Sequence, residues 1–275
     1  MIIQGDVIDS LKLIPDGSAQ CVVTSPPYWG MRDYGICGQI GLEGSLDAYI
    51  RKLVGVFSQV NRVLKDGGVL WLNLGDSYTS GNRKSRGADK KNPARQMSVR
   101  PPTPEGLKVK DLLGLPWRLA FALQENGWFL RSEIIWHKLN AMPESVRDRP
   151  TRAHEQLFML SKSKQYFYDQ NTTREQNGRN RRSVWGVATQ PCRHAHFATF
   201  PEDLVSPCIL STSQPGDLVL DPFFGTGTTG LVAAKADRRF LGIELNQDYT
   251  NIAAERIKKC SAAEPAHLKL NTVST

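Results

Sequence analysis

At 275 residues the chain can bury one sizeable core with room for a small appended lobe, and its 40% hydrophobic and 23% charged residues are ordinary for a globular protein. Its apolar runs are too short for a membrane-spanning helix, and its five scattered cysteines (Cys21, Cys37, Cys192, Cys208, Cys260) form no CxxC pair, which argues against a disulfide scaffold or a cysteine metal site and for a reducing cytoplasm without a secretory leader. The formal charge of +8 is concentrated in residues 82–110, with nine Lys/Arg against two acids, and residues 171–194, with five Arg against one acid, so the rest of the chain is slightly acidic. Two basic stretches on an acidic body fit a polyanion partner, although either alone reads equally as a solvated loop.

In chain order, strands and helices alternate, which predicts an α/β fold with a mostly parallel, doubly wound sheet covered on both faces. Residues 1–3 read as a strand ending at Gly5-Asp6, residues 7–13 as a helix closed by Pro15-Asp16-Gly17, and residues 20–24 as the next strand. In residues 46–64 the apolar positions Leu46, Tyr49, Ile50, Leu53, Val54, Phe57, Val60 and Leu64 fall on one helical stripe, with Ser45 as N-cap and Lys65-Asp66-Gly67-Gly68 as stop. A strand over 69–74 leads into residues 76–110, which lack periodicity and read as a long functional loop. A helix over 116–126 follows, then strands over 129–136 and 156–160, the latter with a hairpin partner in 165–168. Residues 171–194 form the second basic loop, and residues 201–213 a helix capped by Thr199 with a possible bend at Pro207. Strand 218–220, helix 228–236, strand 240–244 and helix 247–259 complete a single domain over 1–260, with 261–275 as a frayed tail.

Two strand ends carry chemistry. The run Leu218-Val219-Leu220 leads into Asp221-Pro222-Phe223-Phe224-Gly225-Thr226-Gly227-Thr228-Thr229, a Gly-rich turn that opens a helix and presents bare backbone and unpaired N–H groups to a nucleotide-like ligand. No Lys follows the second Gly and no third Gly stands at the dinucleotide offset, so neither a Walker loop nor a dinucleotide fingerprint is present. Glu244 ends the next strand 23 residues after Asp221, where a carboxylate can accept from both ribose hydroxyls. Asp6, at another strand end, reads either as a helix cap or as an acceptor for an adenine amino group. At the other strand end, Cys21-Val22-Val23 leads into Thr24-Ser25-Pro26-Pro27-Tyr28-Trp29, a stiff turn offering acceptors and an aromatic face.

These two motifs resemble the signatures of amino-directed DNA methyltransferases, and their order, catalytic motif first and cofactor motif last, resembles the circularly permuted beta class. Gly5-Asp6, Leu115-Pro116-Trp117-Arg118, His196-Phe197-Ala198-Thr199-Phe200-Pro201 and Phe240-Leu241-Gly242-Ile243-Glu244 are similar to the lesser motifs of that group. The resemblance implies S-adenosylmethionine as methyl donor. Asp6 would meet its adenine amino group, Glu244 its ribose, and Asp221, Phe223, Gly225, Thr226, Gly227, Thr228 and Thr229 its amino-acid end, with Phe200 and Pro201 walling the methionine. It further implies that Ser25 Oγ and the Pro26 carbonyl accept from the target amino group, that Pro27 stiffens the turn, and that Tyr28 stacks on a base extruded from double-stranded DNA. Ser at position 25 accompanies cytosine-N4 more often than adenine-N6 methylation in this family. A carbon-5 enzyme would need a nucleophilic Cys, and Cys192 precedes the cofactor motif instead of following it. The basic residues Arg83, Lys84, Arg86, Lys90, Lys91, Arg179, Arg181 and Arg182 are the expected DNA contacts, with a homodimer as one way to share recognition. No metal is expected. An inactive DNA-binding relative and an enzyme acting on RNA or a protein amide are the alternatives.

Overall fold

The computed structural model describes residues 1–80, 85, 87, 97, 100–175, 177–190 and 200–261. Its strands are β1 (Ile2–Gln4), β2 (Ala19–Thr24), β3 (Leu64–Leu74), β4 (Phe129–His137), β5 (His154–Ser161), β6 (Val184–Gly186), β7 (Leu218–Asp221) and β8 (Arg239–Glu244). They form one eight-stranded sheet in the order β1-β8-β7-β2-β3-β5-β4-β6. All pairings are parallel except those of β5, which runs antiparallel to both β3 and β4.

Alternation along the central strands sorts their side chains to two faces. Ala19, Val22, Leu70, Leu72 and Leu74 join the cluster covered by α1 (Val7–Lys12), α2 (Leu46–Val63) and α3 (Leu115–Glu125). Cys21, Val23, Val69 and Trp71 join the opposite cluster, covered by α4 (Glu202–Thr212) and α5 (Thr228–Lys235). Helix α6 (Gln247–Ser261) buries Ala253 and packs beside α5. The α2 stripe behaves as its spacing predicts: Tyr49, Leu53, Phe57 and Val60 are fully buried, and Ser45 Oγ accepts from Ala48 N at 3.1 Å.

The structure corrects four local expectations. β3 starts at Leu64 because Leu64 already pairs with Ala19 of β2, so Lys65-Asp66-Gly67-Gly68 is strand and not a helix stop. Gly68 is needed there, since a Cβ would lie 2.5 Å from Leu64 Cγ. Residues 165–168 form no strand: both edges of β5 are taken, and Phe167 N instead donates to Gly67 O at 3.0 Å. The second basic stretch is partly ordered secondary structure, with a 3-10 turn at Gln170–Thr173 and the edge strand β6. Helix α4 begins at Glu202 with Pro201 as N-cap; Thr199, the expected cap, lies outside the described residues.

Candidate active site

Strands β2 and β7 are parallel neighbours, with Cys21 opposite Val219 and Val22 opposite Leu220, so the two motif turns leave the sheet side by side. Asp221 ties them together. Its Oδ1 accepts from Thr24 Oγ1 at 2.6 Å and from Phe223 N at 3.0 Å, and its Oδ2 lies 2.7 Å from Thr229 Oγ1. Thr229 Oγ1 is also 3.2 Å from the Val23 carbonyl. The carboxyl is only 1% exposed, so Asp221 joins the catalytic and Gly-rich turns and does not present an open carboxylate to a ligand, as a direct donor contact would require.

Burial raises the Asp221 carboxyl to about 6 despite its three hydrogen-bond donors. A carboxyl raised on folding holds its proton more tightly in the native state. It therefore favours the folded chain at low pH, and this contribution fades as pH rises from about 4 to about 6. Asp221→Asn, which keeps an acceptor for Thr24 and a donor for Thr229, is expected to flatten that stretch of the stability curve by roughly 3 kcal/mol. Melting temperatures of the two proteins between pH 4 and 7 check this; parallel curves would contradict it.

The Gly-rich turn owes its shape to left-handed backbone at both glycines and to close packing behind Gly227. Gly225 (φ 51°) and Gly227 (φ 81°) occupy left-handed backbone, and Gly227 caps α5 without any side-chain bond. A Cβ on Gly227 would sit 2.8 Å from Ala253 Cβ. The Phe224 ring lies beneath Gly242 and stacks on Phe240 with centroids 5.9 Å apart. Thr226 and Thr228 turn away from the mouth: Arg256 on α6 donates to both Thr226 oxygens and approaches Thr228 Oγ1.

Glu244 ends β8 and Asp6 follows the adjacent strand β1 by two residues, where Gln4 pairs with Glu244. Glu244 Oε2 accepts from Gly225 N at 2.7 Å and Oε1 from Asn246 N at 2.8 Å, which leaves further acceptor lone pairs on both oxygens. Burial holds its carboxyl above the usual range. Asp6 is the cap of α1, with Oδ1 accepting from Ile8 N and Asp9 N. Phe223 and Phe200 are half-buried, and Pro201 is buried. Tyr34, from the loop after the catalytic turn, meets Tyr249 edge-on at 6.3 Å, and the Glu244 charge reaches both phenols.

In the catalytic turn Ser25 is half-buried and Pro26 buried. The fully buried Tyr49 of α2 donates to the Pro27 carbonyl at 2.8 Å, whereas no hydrogen bond among the described residues engages the Pro26 carbonyl. Tyr28 Oη donates to Glu155 Oε2 at 2.9 Å and lies 3.4 Å from Ser25 Oγ. Lys138 holds the other Glu155 oxygen and sits 4.6 Å from the Trp136 ring centroid. Burial and the Glu155 charge push the Tyr28 phenol well up, so it remains a protonated donor. The missing side chain of Gly75 admits the Tyr28 ring, since a Cβ there would lie 2.7 Å from Tyr28 Cε2.

Sequence reading missed Glu155, Lys138, Tyr49 and Arg256. Only Glu155 carried a signal, an acid leading into the apolar run that forms β5. Among the expected DNA contacts, Arg179 and Arg182 are exposed, while Arg181 is half-buried with Cζ 4.3 Å from the Trp185 ring centroid. Arg83, Lys84, Arg86, Lys90 and Lys91 lie outside the described residues.

A family model described as DNA methylase, of the N6/N4 type, matches residues 19–255. Over 261 residues the chain is 60% identical to the Type II methyltransferase M.Cfr9I of Citrobacter freundii, covering 94% of this chain and 87% of that protein. It is 56% identical over 262 residues to the Type II methyltransferase M.SmaI of Serratia marcescens, covering 93% and 90%. The crystal structure of TTHA0409 from Thermus thermophilus complexed with S-adenosyl-L-methionine superimposes with a TM-score of 0.67 at 26% identity, covering 95% of this chain and 94% of that one. The cytosine-N4-specific PvuII DNA methyltransferase shares the fold, with a TM-score of 0.71 at 22% identity, covering 94% and 89%.

Proposed function

This chain belongs to the N6/N4 DNA methylase family, and from that premise we propose that it methylates the exocyclic N4 of cytosine in double-stranded DNA, as the modification half of a Type II restriction system. The observation that carries this reading is the Thr24–Asp221–Thr229 bridge, which sets the Ser25-Pro26 acceptors beside the Gly-rich turn.

S-adenosylmethionine fits the Gly-rich half. The turn offers the left-handed backbone of Gly225 and Gly227 with no side chain over it, Gly225 having open space around its Cα, and Glu244 keeps acceptor lone pairs. Asp6 Oδ2, which takes no part in the α1 cap, would accept from the adenine amino group, and Glu244 from the ribose hydroxyls. Thr226, Thr228 and Thr229 would receive the amino-acid end on backbone N–H groups, since those of Gly225 and Gly227 are bonded to Glu244 and Phe224, with Phe200, Pro201 and Phe223 as the apolar wall. When bound, the donor supplies an electrophilic methyl group on a sulfonium centre.

The target amine is a poor nucleophile because its lone pair is delocalised into the ring. Acceptors on its two hydrogens hold it in line and favour the pyramidal, attacking form. The Pro26 carbonyl is one such acceptor. Ser25 becomes the other through its neighbours. The Tyr28 proton is committed to Glu155, so the Ser25 hydroxyl donates toward Tyr28 Oη and turns its lone pairs to the amino group. Ser25, the family residue associated with cytosine, supports N4 over adenine N6.

The test uses the purified chain, unmethylated duplex DNA and methyl-labelled donor, with the product DNA digested to nucleosides. N4-methylcytosine is expected. N6-methyladenine would establish the adenine alternative, and donor binding without transfer would identify an inactive DNA-binding relative. Replacing exposed Arg179 and Arg182 by Gln is expected to weaken DNA binding and to reduce the slope of log affinity against log salt by about 0.9 per lost phosphate contact. A salt titration with an unchanged slope would remove this stretch from the interface.

A further inference from the structure

Beside the catalytic turn, but not part of it, lies a half-open cleft of about 270 Å³ whose walls include Trp29, Gly30, Asp76, Tyr78, Arg149 and Arg152. Arg149 lies over the Tyr78 ring, with Cζ 3.9 Å from its centroid, and donates to Glu144 Oε2 at 2.8 Å. Arg152 is a second arginine of the wall. Among the described residues its Nη1 is buried with no hydrogen-bond partner and its nearest counter-charge, Asp76 Oδ2, is 3.9 Å away, while the side chain as a whole is 17% exposed. Asp76 has no freedom to close that gap. Its two oxygens already accept from the backbone N–H groups of Ser77, Gly114 and Leu115 at 2.8, 3.1 and 3.0 Å, which fixes the start of α3.

Arg152 lines the cleft with part of its side chain exposed and only a 3.9 Å counter-charge beside it, so a charged acceptor brought into the cleft would add hydrogen bonding that this guanidinium lacks. Resting on the DNA-methyltransferase reading above, we propose that this cleft receives paired acceptor atoms of the DNA next to the target nucleotide, with Arg152 as their donor and Arg149, preorganised on Tyr78, beside it. Two parts of DNA present that chemistry: the non-bridging oxygens of a backbone phosphate, and the O6/N7 edge of guanine. The cleft opens alongside Trp29 and Gly30, so what it holds also fixes how the extruded base enters the catalytic turn.

The experiment uses the full chain with bound donor. Its probes are a duplex carrying the modification site, as mapped in DNA from a methylation-free host, and a set of duplexes with each base pair of that site changed in turn. Arg152→Gln is expected to lower affinity for the intact site roughly ten- to hundredfold. If a phosphate is held, all duplexes weaken alike and the salt slope falls by about 0.9. If a guanine edge is held, the slope is unchanged and discrimination is lost at one G·C position. Wild-type affinity, slope and discrimination in a variant with unaltered melting and donor binding would overturn the proposal. If Arg152→Gln does not fold, Arg149→Gln on the same cleft decides by the same readouts. A wild-type protein that methylates no DNA sinks the enzymatic reading, whereas an active wild type with an indifferent Arg152→Gln sinks the cleft alone.

Discussion

Tyr28→Ala is expected to reduce methyl transfer by roughly a hundredfold or more, because it misplaces the reacting groups while leaving the donor half intact. Tyr28 has two roles in the site. Its ring, admitted by Gly75, is an aromatic face in the same turn as the acceptors, and a base taken out of the duplex needs such a face in place of its lost neighbours. Its hydroxyl passes the Glu155–Lys138 charge pair on to Ser25. Glu155→Gln separates the roles. It preserves the ring and the shape of the site, but the Tyr28 proton loses its ionised acceptor and Lys138 its counter-charge. A smaller loss, carried by kcat and not by donor affinity, is therefore expected. Turnover by Tyr28→Ala at the wild-type rate in a labelled methyl-transfer assay would refute both roles. Loss of donor binding in Tyr28→Ala would show that the two halves of the site are not separable as described.

Gly227→Ala is expected to abolish measurable donor binding and to lower stability by about 2–4 kcal/mol, combining left-handed backbone strain with overpacking. The new methyl group would sit 2.8 Å from Ala253 Cβ and 3.2 Å from the Phe224 ring, so α6 or the ring must move. Either movement disturbs the turn, because Arg256 on α6 holds Thr226 and Phe224 N is bonded to the Ile243 carbonyl. Calorimetric donor titration and thermal unfolding check the two effects. Normal donor affinity in Gly227→Ala would mean that the turn is not the donor cradle.

Much of this architecture was legible in the sequence because it is local. The α2 stripe, the apolar run of β2 and the Gly-rich opening of α5 follow from periodicity, local hydrophobicity and what glycine permits, and each element lies where its pattern places it. Apart from the cap of α4, the failures are non-local. Lys65-Asp66-Gly67-Gly68 resembles a helix stop until β2 lies alongside to pair with it. The edge strand β6 has only three residues, and its extended form comes from pairing with β4. Asp221 was legible as a strand-end acid, but not as the tie to Thr24, 197 residues away. The Glu155–Tyr28 bond spans 127 residues and joins strand to turn, so no spacing rule could have found it. The chemical motifs were readable, and the supports that orient them became visible only in the fold.

The central claim is that the two motif turns build one reaction site, and a crystal structure of the chain with a non-reactive donor analogue and its duplex substrate tests it most directly. The donor's sulfur position should lie between the Gly225–Gly227 turn and the Ser25-Pro26 turn, with a cytosine amino nitrogen within hydrogen-bond reach of Ser25 Oγ. An ordered donor in that turn with the extruded base held elsewhere, out of reach of Ser25 and Pro26, would contradict it.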